Sequence, residues 1–403
     1  LAISPVGGAT GTIQNDPSTI PNQLWDTTAD AAGGTYSLSA RPVLYTLGEL
    51  DDFAPVASLT TRLHKNRLWV VAGDRRTIWV SKDFTSNLGT APGFHPTQVI
   101  PFDQDIIGIE SMDDKLLVFS ASCIWYIVGD GPDALGNGGF DVVKLQSDTG
   151  LVTARSLCST PMGVVYQSTR GVYLMDRGFQ QTWIGKQIRD ELASYPTITS
   201  AVLVPSKNQV RISCNNAAGT AGIVLVFDYA RSAWSTFSYY GTPAIADAAL
   251  VAGVYTFATT AGAVYQEDAT TYLDAGSHFV SWDVEGAWVS QDGPLGYQRV
   301  RRVYVRGDKY TSCDVRFRFA VNDSASYEKD TTLTSATIDA LADTHVLGMT
   351  MKTQKNRAFR FRLTDATPTG GNVSTGRGYT LSAIGFEIVP KGEMDRRAPA
   401  ATG

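Results

Sequence analysis

Cysteine is scarce and scattered. Cys123, Cys158, Cys214 and Cys313 are the only four in 403 residues. None belongs to a C-x-x-C pair and none has a histidine nearby, so they read as small buried hydrophobes in a reducing compartment rather than a disulfide framework or a zinc site. Histidine is as rare: His64, His95, His278 and His345 lie far apart, without ligand spacing. There is no G-x-x-x-x-G-K-[ST] phosphate loop, no G-x-S-x-G nucleophile elbow and no H-E-x-x-H. No run approaches the roughly 20 apolar residues that cross a bilayer, so no membrane insertion is expected. A charged start followed by an apolar signal region is missing too. The first residue is Leu1 rather than Met, which points to a trimmed or processed chain with sequence upstream. Helical sequence is confined to Lys186–Ala193, KQIRDELA. These absences leave an all-β chain for which no catalytic residue, cofactor or metal is expected.

What is present is a repeat. The stretch from Ile106 to Asp130, IIGIESMDDKLLVFSASCIWYIVGD, holds three short runs rich in Ile, Val, Phe, Trp and Tyr, joined by tight turns, the pattern of a three-stranded meander. Its second and third runs are apolar at nearly every position, so both faces of the sheet must be covered; a sheet with one wet face would alternate. Aligned on the second strand, the unit recurs at Leu68, Leu116, Val164, Val210 and Val254, spacings of 48, 48, 46 and 44 residues. An aromatic marks each third strand, at Trp79, Trp125, Tyr173, Phe227 and Tyr265. Fourth strands are predicted at Thr97–Ile100, Phe140–Leu145, Gln181–Ile184, Trp234–Phe237 and Phe279–Trp282. Four short strands recurring at this period are the mark of a β-propeller, whose blades cover one another around an axis. Five blades are visible, and a six-bladed ring is the preferred count.

Residues 1–54 are irregular, with strand candidates at Tyr36–Ser39 and Val43–Leu47; they supply part of a further blade, a connection from upstream, or an arm on a neighbour. The blades are placed at 55–284. From 285 to 390 the runs lengthen and alternate strictly, as in CDVRFRFAV and AFRFRLTD. Val315, Phe317 and Phe319 face a core while Arg316 and Arg318 face away, and Phe359 and Phe361 do the same against Arg360 and Arg362, the pattern of an antiparallel β-sandwich or jelly roll. Residues 391–403 read as a mobile polar tail.

Charge divides along the chain. Residues 1–280 hold 17 basic and 25 acidic side chains, residues 281–403 hold 17 and 14. A general nucleic-acid binder would show a basic stripe, and the larger part is acidic. Asp51, Asp52, Asp113 and Asp114 are turn residues that keep the surface soluble or line a channel wall. Arg299, Arg301, Arg302, Arg306, Arg316, Arg318, Arg360 and Arg362 either form a wet sandwich face, their stems covering apolar surface, or a subunit or partner interface. The loop GDGPDALGNGGFD has oxygen ligands without the order of a calcium loop and reads as a blade connection. Ser290, Asp292 and Gly293 half-match the sialidase Asp-box, once and outside the blades.

The succession NRLWVVAGDRRTIWVS, MDDKLLVFSASCIWYIVGDGP, SDTGLVTARSLCSTPMGVVYQSTRGVYLMDRG and GYQRVRRVYVRG resembles the virion proteins of tailed bacteriophages known as tail hub, tail nozzle or packaged-DNA stabilisation proteins, over about Pro42 to Val389. The resemblance implies a β-propeller with added β-domains, in subunits forming a ring, commonly a hexamer. That ring prolongs the channel below portal and adaptor (the head-to-tail connector), retains packaged DNA and serves its ejection, and carries fibres, spikes or a plug. It places the chain in the virion tail, made in the host bacterial cytoplasm, with DNA passing through without specific binding; the acidic balance of residues 1–280 fits a channel wall that repels the duplex and lets it slide. The expectation is a structural protein and not an enzyme. Two alternatives are kept: a propeller glycan-processing enzyme, which needs carboxylates converging at the axial mouth, and a monomeric propeller adaptor for other proteins.

Overall fold

The computed structural model describes residues 2–3, 11–15, 24–26, 58–81, 94–131, 138–145, 149–268, 270–275, 278–291, 296–341, 344–351, 355–366 and 377–391. The fold is all-β. Contacts divide the chain into two compact units, Leu1–Glu267 and Asp268–Gly403.

The first unit opens with a small antiparallel sheet of β1 (Ala2–Ile3), β2 (Gly11–Asn15) and β3 (Leu24–Asp26). The strand candidates at Tyr36–Ser39 and Val43–Leu47 lie outside the described residues. Five meanders follow. Sheet one is β4 (Ser58–His64), β5 (Arg67–Ala72), β6 (Thr77–Ser81) and β7 (Phe94–Pro101). Sheet two is β8 (Ile106–Met112), β9 (Lys115–Ser120), β10 (Ile124–Val128) and β11 (Asp141–Lys144). Sheet three is β12 (Cys158–Thr160), β13 (Gly163–Ser168), β14 (Gly171–Asp176) and β15 (Gln181–Trp183). After α1 (Arg189–Ser194), which forms only the last part of the helix expected at Lys186–Ala193, sheet four comprises β16 (Thr197–Val204), β17 (Gln209–Asn215), β18 (Gly222–Asp228) and β19 (Ala233–Phe237). Sheet five has three strands, β20 (Ile245–Val251), β21 (Val254–Thr259) and β22 (Val264–Gln266). Every pairing is antiparallel and every order sequential.

The two-sided hydrophobicity is explained by what lies on either side of each sheet. Alternate residues of one strand enter different cores: Leu116 and Val118 pack with Trp69, Val71, Ile78 and Val80 of sheet one, while Leu117 and Phe119 pack with Val164, Tyr166 and Met175 of sheet three. Sheets three and four share Val165, Val172, Ile212 and Leu225, and sheets four and five share Val224, Val226, Tyr255 and Phe257. The first strands adjoin in order, β4 with β8, β8 with β12, β12 with β16 and β16 with β20. Sheets stacked face to face with their first strands innermost are propeller blades. The β12–β13 turn needs glycine, because Gly163 sits at φ +140 and a Cβ there would stand 2.0 Å from the Met175 carbonyl oxygen.

One expected strand falls elsewhere. Phe279–Trp282 is not the fourth strand of the fifth blade. Phe279 belongs to the β23 (Leu273–Asp274), β24 (His278–Phe279) hairpin of the second unit, and the Trp282 indole donates to the Tyr379 carbonyl there (2.9 Å). The aromatics are drawn into the larger core, so the compact division comes at Glu267/Asp268 rather than near 284.

The second unit is a sandwich. One sheet orders β25 (Asp283–Glu285), β30 (Phe359–Ala366), β27 (Asp314–Val321) and β28 (Lys329–Leu333); the other orders β29 (Thr344–Thr350), β26 (Tyr297–Lys309) and β31 (Tyr379–Lys391). A short α2 (Ser335–Asp339) follows β28. Val300, Val303 and Val305 of one sheet meet Val315, Phe317, Phe319, Phe359 and Leu363 of the other in one core, with Phe319 stacked on Phe359 at 5.3 Å.

That core holds a carboxyl against its own solvation. Asp365, 3% exposed, accepts the Trp282 backbone N–H at 2.7 Å, yet burial pushes its pKa up to about 7. The folded chain therefore keeps the proton that the unfolded chain loses near pH 4. Stability should fall as pH rises from about 4 to about 7, by about 4 kcal/mol in all, and level off above. Asp365→Asn keeps the acceptor and removes the titration; thermal unfolding across pH should show it matching the parent at pH 4 and exceeding it at pH 8.

Candidate functional site

The adjoining first strands bring together a polar cluster at the propeller axis. β8 reads IIGIESM, with Glu110 buried among apolar neighbours at 4% exposure. The Arg62 guanidinium of β4 forms an ion pair with it across the blade boundary. Beside them, His64 Nδ1 and Ser111 Oγ lie 2.8 Å apart. Burial raises the Glu110 pKa, and Arg62 opposes the shift without cancelling it. Burial, then the Lys65 charge, lowers that of His64. Burial and then the Glu110 charge push the Cys158 thiol up to about 12, so it is no nucleophile at neutral pH.

A second buried charge ties blade four to blade five. Arg211, 1% exposed, donates to Glu267 at 2.9 Å and lies over the rings of Tyr255 (4.7 Å) and Phe237 (5.3 Å), with cation–π attraction replacing part of its lost hydration. Burial pushes the Glu267 pKa up, and hydrogen bonds from Arg211 and Lys207 outweigh it, leaving it low. At the end of the blades where first and second strands turn, ion pairs cross from blade to blade: Lys65 with Asp130 at 2.9 Å, Asp113 with Arg177, and Lys207 with Glu267.

Those pairs change the reading of the acidic turns. Asp51 and Asp52 lie outside the described residues. Asp113 and Asp114 form the β8–β9 turn, Asp113 in left-handed backbone at φ 54. Neither stands as a bare negative charge, since Asp113 is held by Arg177 and Asp114 by Lys115 at 2.5 Å, whose hydrogen bond lowers its pKa. A wall of repelling carboxylates is not what this turn presents.

The eight arginines divide between the two sandwich sheets. On the β25–β30–β27–β28 sheet they are engaged locally: Arg316 with Asp330 (2.8 Å), Arg362 with Asp283 (2.9 Å) and Arg360 with Glu285 (3.1 Å). Arg318 lies over Tyr327 at 5.2 Å, and Arg360 over Trp288 at 5.1 Å. On β26 a register shift between Val300 and Arg302 turns two consecutive side chains outward, so Arg301 and Arg302 are 58% and 59% exposed, each 4.0 Å from Glu387. Arg306 is also exposed, and Arg299 is half-buried with its Nε out of water.

The glycan-processing alternative needs converging carboxylates. The described first strands of the five blades carry two acids, Glu110 and the exposed Asp247. Among the described residues no three of His, Cys, Asp and Glu group as a metal site, and no helix is long and apolar enough to cross a membrane. The pairing of buried Glu110 with Arg62 escaped the sequence reading. Its one signal was a lone glutamate in an otherwise apolar strand.

No protein-family model and no curated protein matches the chain. Solved structures similar to it include the exo-β-1,3-galactanase from Phanerochaete chrysosporium. A variant with β-1,3-galactotriose is 8% identical at a TM-score of 0.30, over 88% of this chain and 99% of that one. The enzyme with galactose is 8% identical at 0.28, over 84% and 99%. The expectation that the chain is not an enzyme is withdrawn on this finding, because the structures found are those of an enzyme. Likenesses at these TM-scores transfer neither a site nor an activity.

Removing one member of the axial pair should cost more than removing both. Arg62→Met leaves Glu110 buried without its cation and should destabilise by about 3 kcal/mol. Adding Glu110→Met should recover most of that loss, as read from urea unfolding of the complete chain.

Proposed function

We propose that the chain is a ring-forming building block of a phage tail. It would surround a passage for DNA below the portal and adaptor, help retain the packaged genome and serve its ejection, and anchor fibres, spikes or a plug. The resemblance of the blade sequences to tail hub and nozzle proteins supports this reading. The observation in the fold that carries it is the bracing between blades: buried cores shared face to face, and ion pairs linking one blade to the next. Such a body resists shear, and copies of it repeating one heterologous contact close into a ring when the rotation divides a full turn. The contact we assign is the β26 face, where Arg301, Arg302 and Arg306 stand outward; arginine's fixed fork of donors suits a carboxylate-bearing neighbour.

A second reading, a propeller that processes glycans, rests on Glu110. A carboxyl whose pKa is raised by burial is the kind of group that donates a proton to a leaving oxygen near neutral pH, and Glu110 lies on a first strand, at the axis.

Native mass separates the two. Rings of several copies, seen by sedimentation and negative-stain images, are expected, and Arg301→Ser, Arg302→Ser and Arg306→Ser combined should reduce them to monomers, whereas Arg316→Ser should lower thermal stability and leave the rings in place. A monomeric chain that releases sugar from a galactan, and loses that release in Glu110→Gln, would replace the first reading with the second.

A further inference from the structure

The outer face of the β25–β30–β27–β28 sheet carries four guanidiniums, Arg316 and Arg318 of β27 with Arg360 and Arg362 of β30, and three carboxylates, Asp283 and Glu285 of β25 with Asp330 of β28. Register alone would join Glu285 to Arg362 and Asp330 to Arg318, which stand directly opposite one another. The ion pairs run diagonally instead: Asp283 takes Arg362 (2.9 Å), Glu285 takes Arg360 (3.1 Å) and Asp330 takes Arg316 (2.8 Å). That shift leaves one cation over. Arg318 has no carboxylate bonded to it among the described residues, and its neighbour in register on β30 is a second guanidinium, Arg362. Its Nε is closed off from water without an acceptor. Asp330 is claimed elsewhere: the bond from Arg316 is the main cause of its lowered pKa, and the Arg318 charge comes last. Glu328, just before β28, is exposed and enters none of these pairs.

We infer that Arg318 is the binding point for the carboxylate of a small sugar acid. One guanidinium is left over, one carboxylate answers it, and the planar fork of donors matches the two carboxylate oxygens. Two rings frame the point. The Arg318 and Arg360 guanidiniums lie 5.2 and 5.3 Å from the centre of the Tyr327 ring, whose hydroxyl donates to Glu285 at 2.9 Å, and Arg360 lies 5.1 Å from the Trp288 ring. Both rings are half-buried. Aromatic walls around a single placed charge are the make-up of a small-ligand site, and they suit the C–H surface of a sugar ring better than a flexible acidic side chain. The ring contact holds the Arg318 fork before any ligand arrives, which lowers the ordering cost of binding.

The inference does not depend on the proposed function. It is tested on the complete chain by saturation-transfer NMR with galacturonate, galactose and acetate as probes. Galacturonate should give a saturable signal and galactose none, with acetate at least tenfold weaker. Arg318→Gln should weaken galacturonate binding at least tenfold. Arg316→Gln should do the same by another route, because it releases Asp330 to the arginine directly opposite; adding Asp330→Asn should restore binding to within twofold of the parent. No galacturonate signal, an equal response to galactose, acetate as tight as galacturonate, or unchanged binding in Arg318→Gln overturns the inference. So does a double variant that fails to recover, or a tetraglutamate peptide that displaces galacturonate at lower concentration, which would assign the point to a protein partner.

Discussion

Everything in the first unit depends on sheets too small and too apolar to stand alone. A three- or four-stranded meander buried on one face only is marginal in water, and blades two, three and four bury both. Leu117 and Leu116 are neighbours in β9 yet belong to different cores, so each blade is stabilised by the blade before it and the blade after it. The consequence is cooperativity along the stack, with none of blades two, three and four removable without opening two cores. The same logic makes an uncovered blade face a structural demand rather than a neutral surface.

Charge is used between blades rather than against solvent. A chain with more acidic than basic residues in its first 280 positions invites a picture of exposed negative turns, but several of these carboxylates pair with cations across a blade boundary. Lys65, Arg177, Lys207 and Arg211 meet Asp130, Asp113 and Glu267. Most of these pairs are at least partly exposed and contribute little stability individually; their effect is to fix how one blade sits on the next. Arg62 with Glu110 and Arg211 with Glu267 are different, because Glu110 and Arg211 are buried and lose hydration that only their partners restore. In the sandwich, Arg316, Arg360 and Arg362 pair with carboxylates of their own sheet, while Arg301, Arg302 and Arg306 of β26 face outward.

The fold was largely legible, and the site was not. Period, strand order and the aromatic of each third strand follow from local apolar patterning, and the second strands begin within a residue of the predicted positions. The misplaced element, Phe279–Trp282, has the composition of a strand in either unit; only competition between two cores decides where its aromatics go. Glu110 and Arg211 could not be foreseen, because an acid or an arginine in an apolar strand is identical in sequence whether it meets a partner from 48 or 56 residues away or none. Asp113 and Asp114 were legible as a turn, and the cations that pair with them, Arg177 and Lys115, were not.

By itself the sequence determined the repeat, the two-sided burial and the change to one-sided alternation after residue 285, because these are properties of neighbours along the chain: side chains two apart share a face, and a run apolar on both faces must be covered twice. Which face covers which, which carboxylate meets which cation, how β26 turns Arg301 and Arg302 outward together, and where the first unit ends were decided by tertiary structure. Those outcomes depend on distances between residues remote in sequence, set by packing and desolvation in the assembled fold.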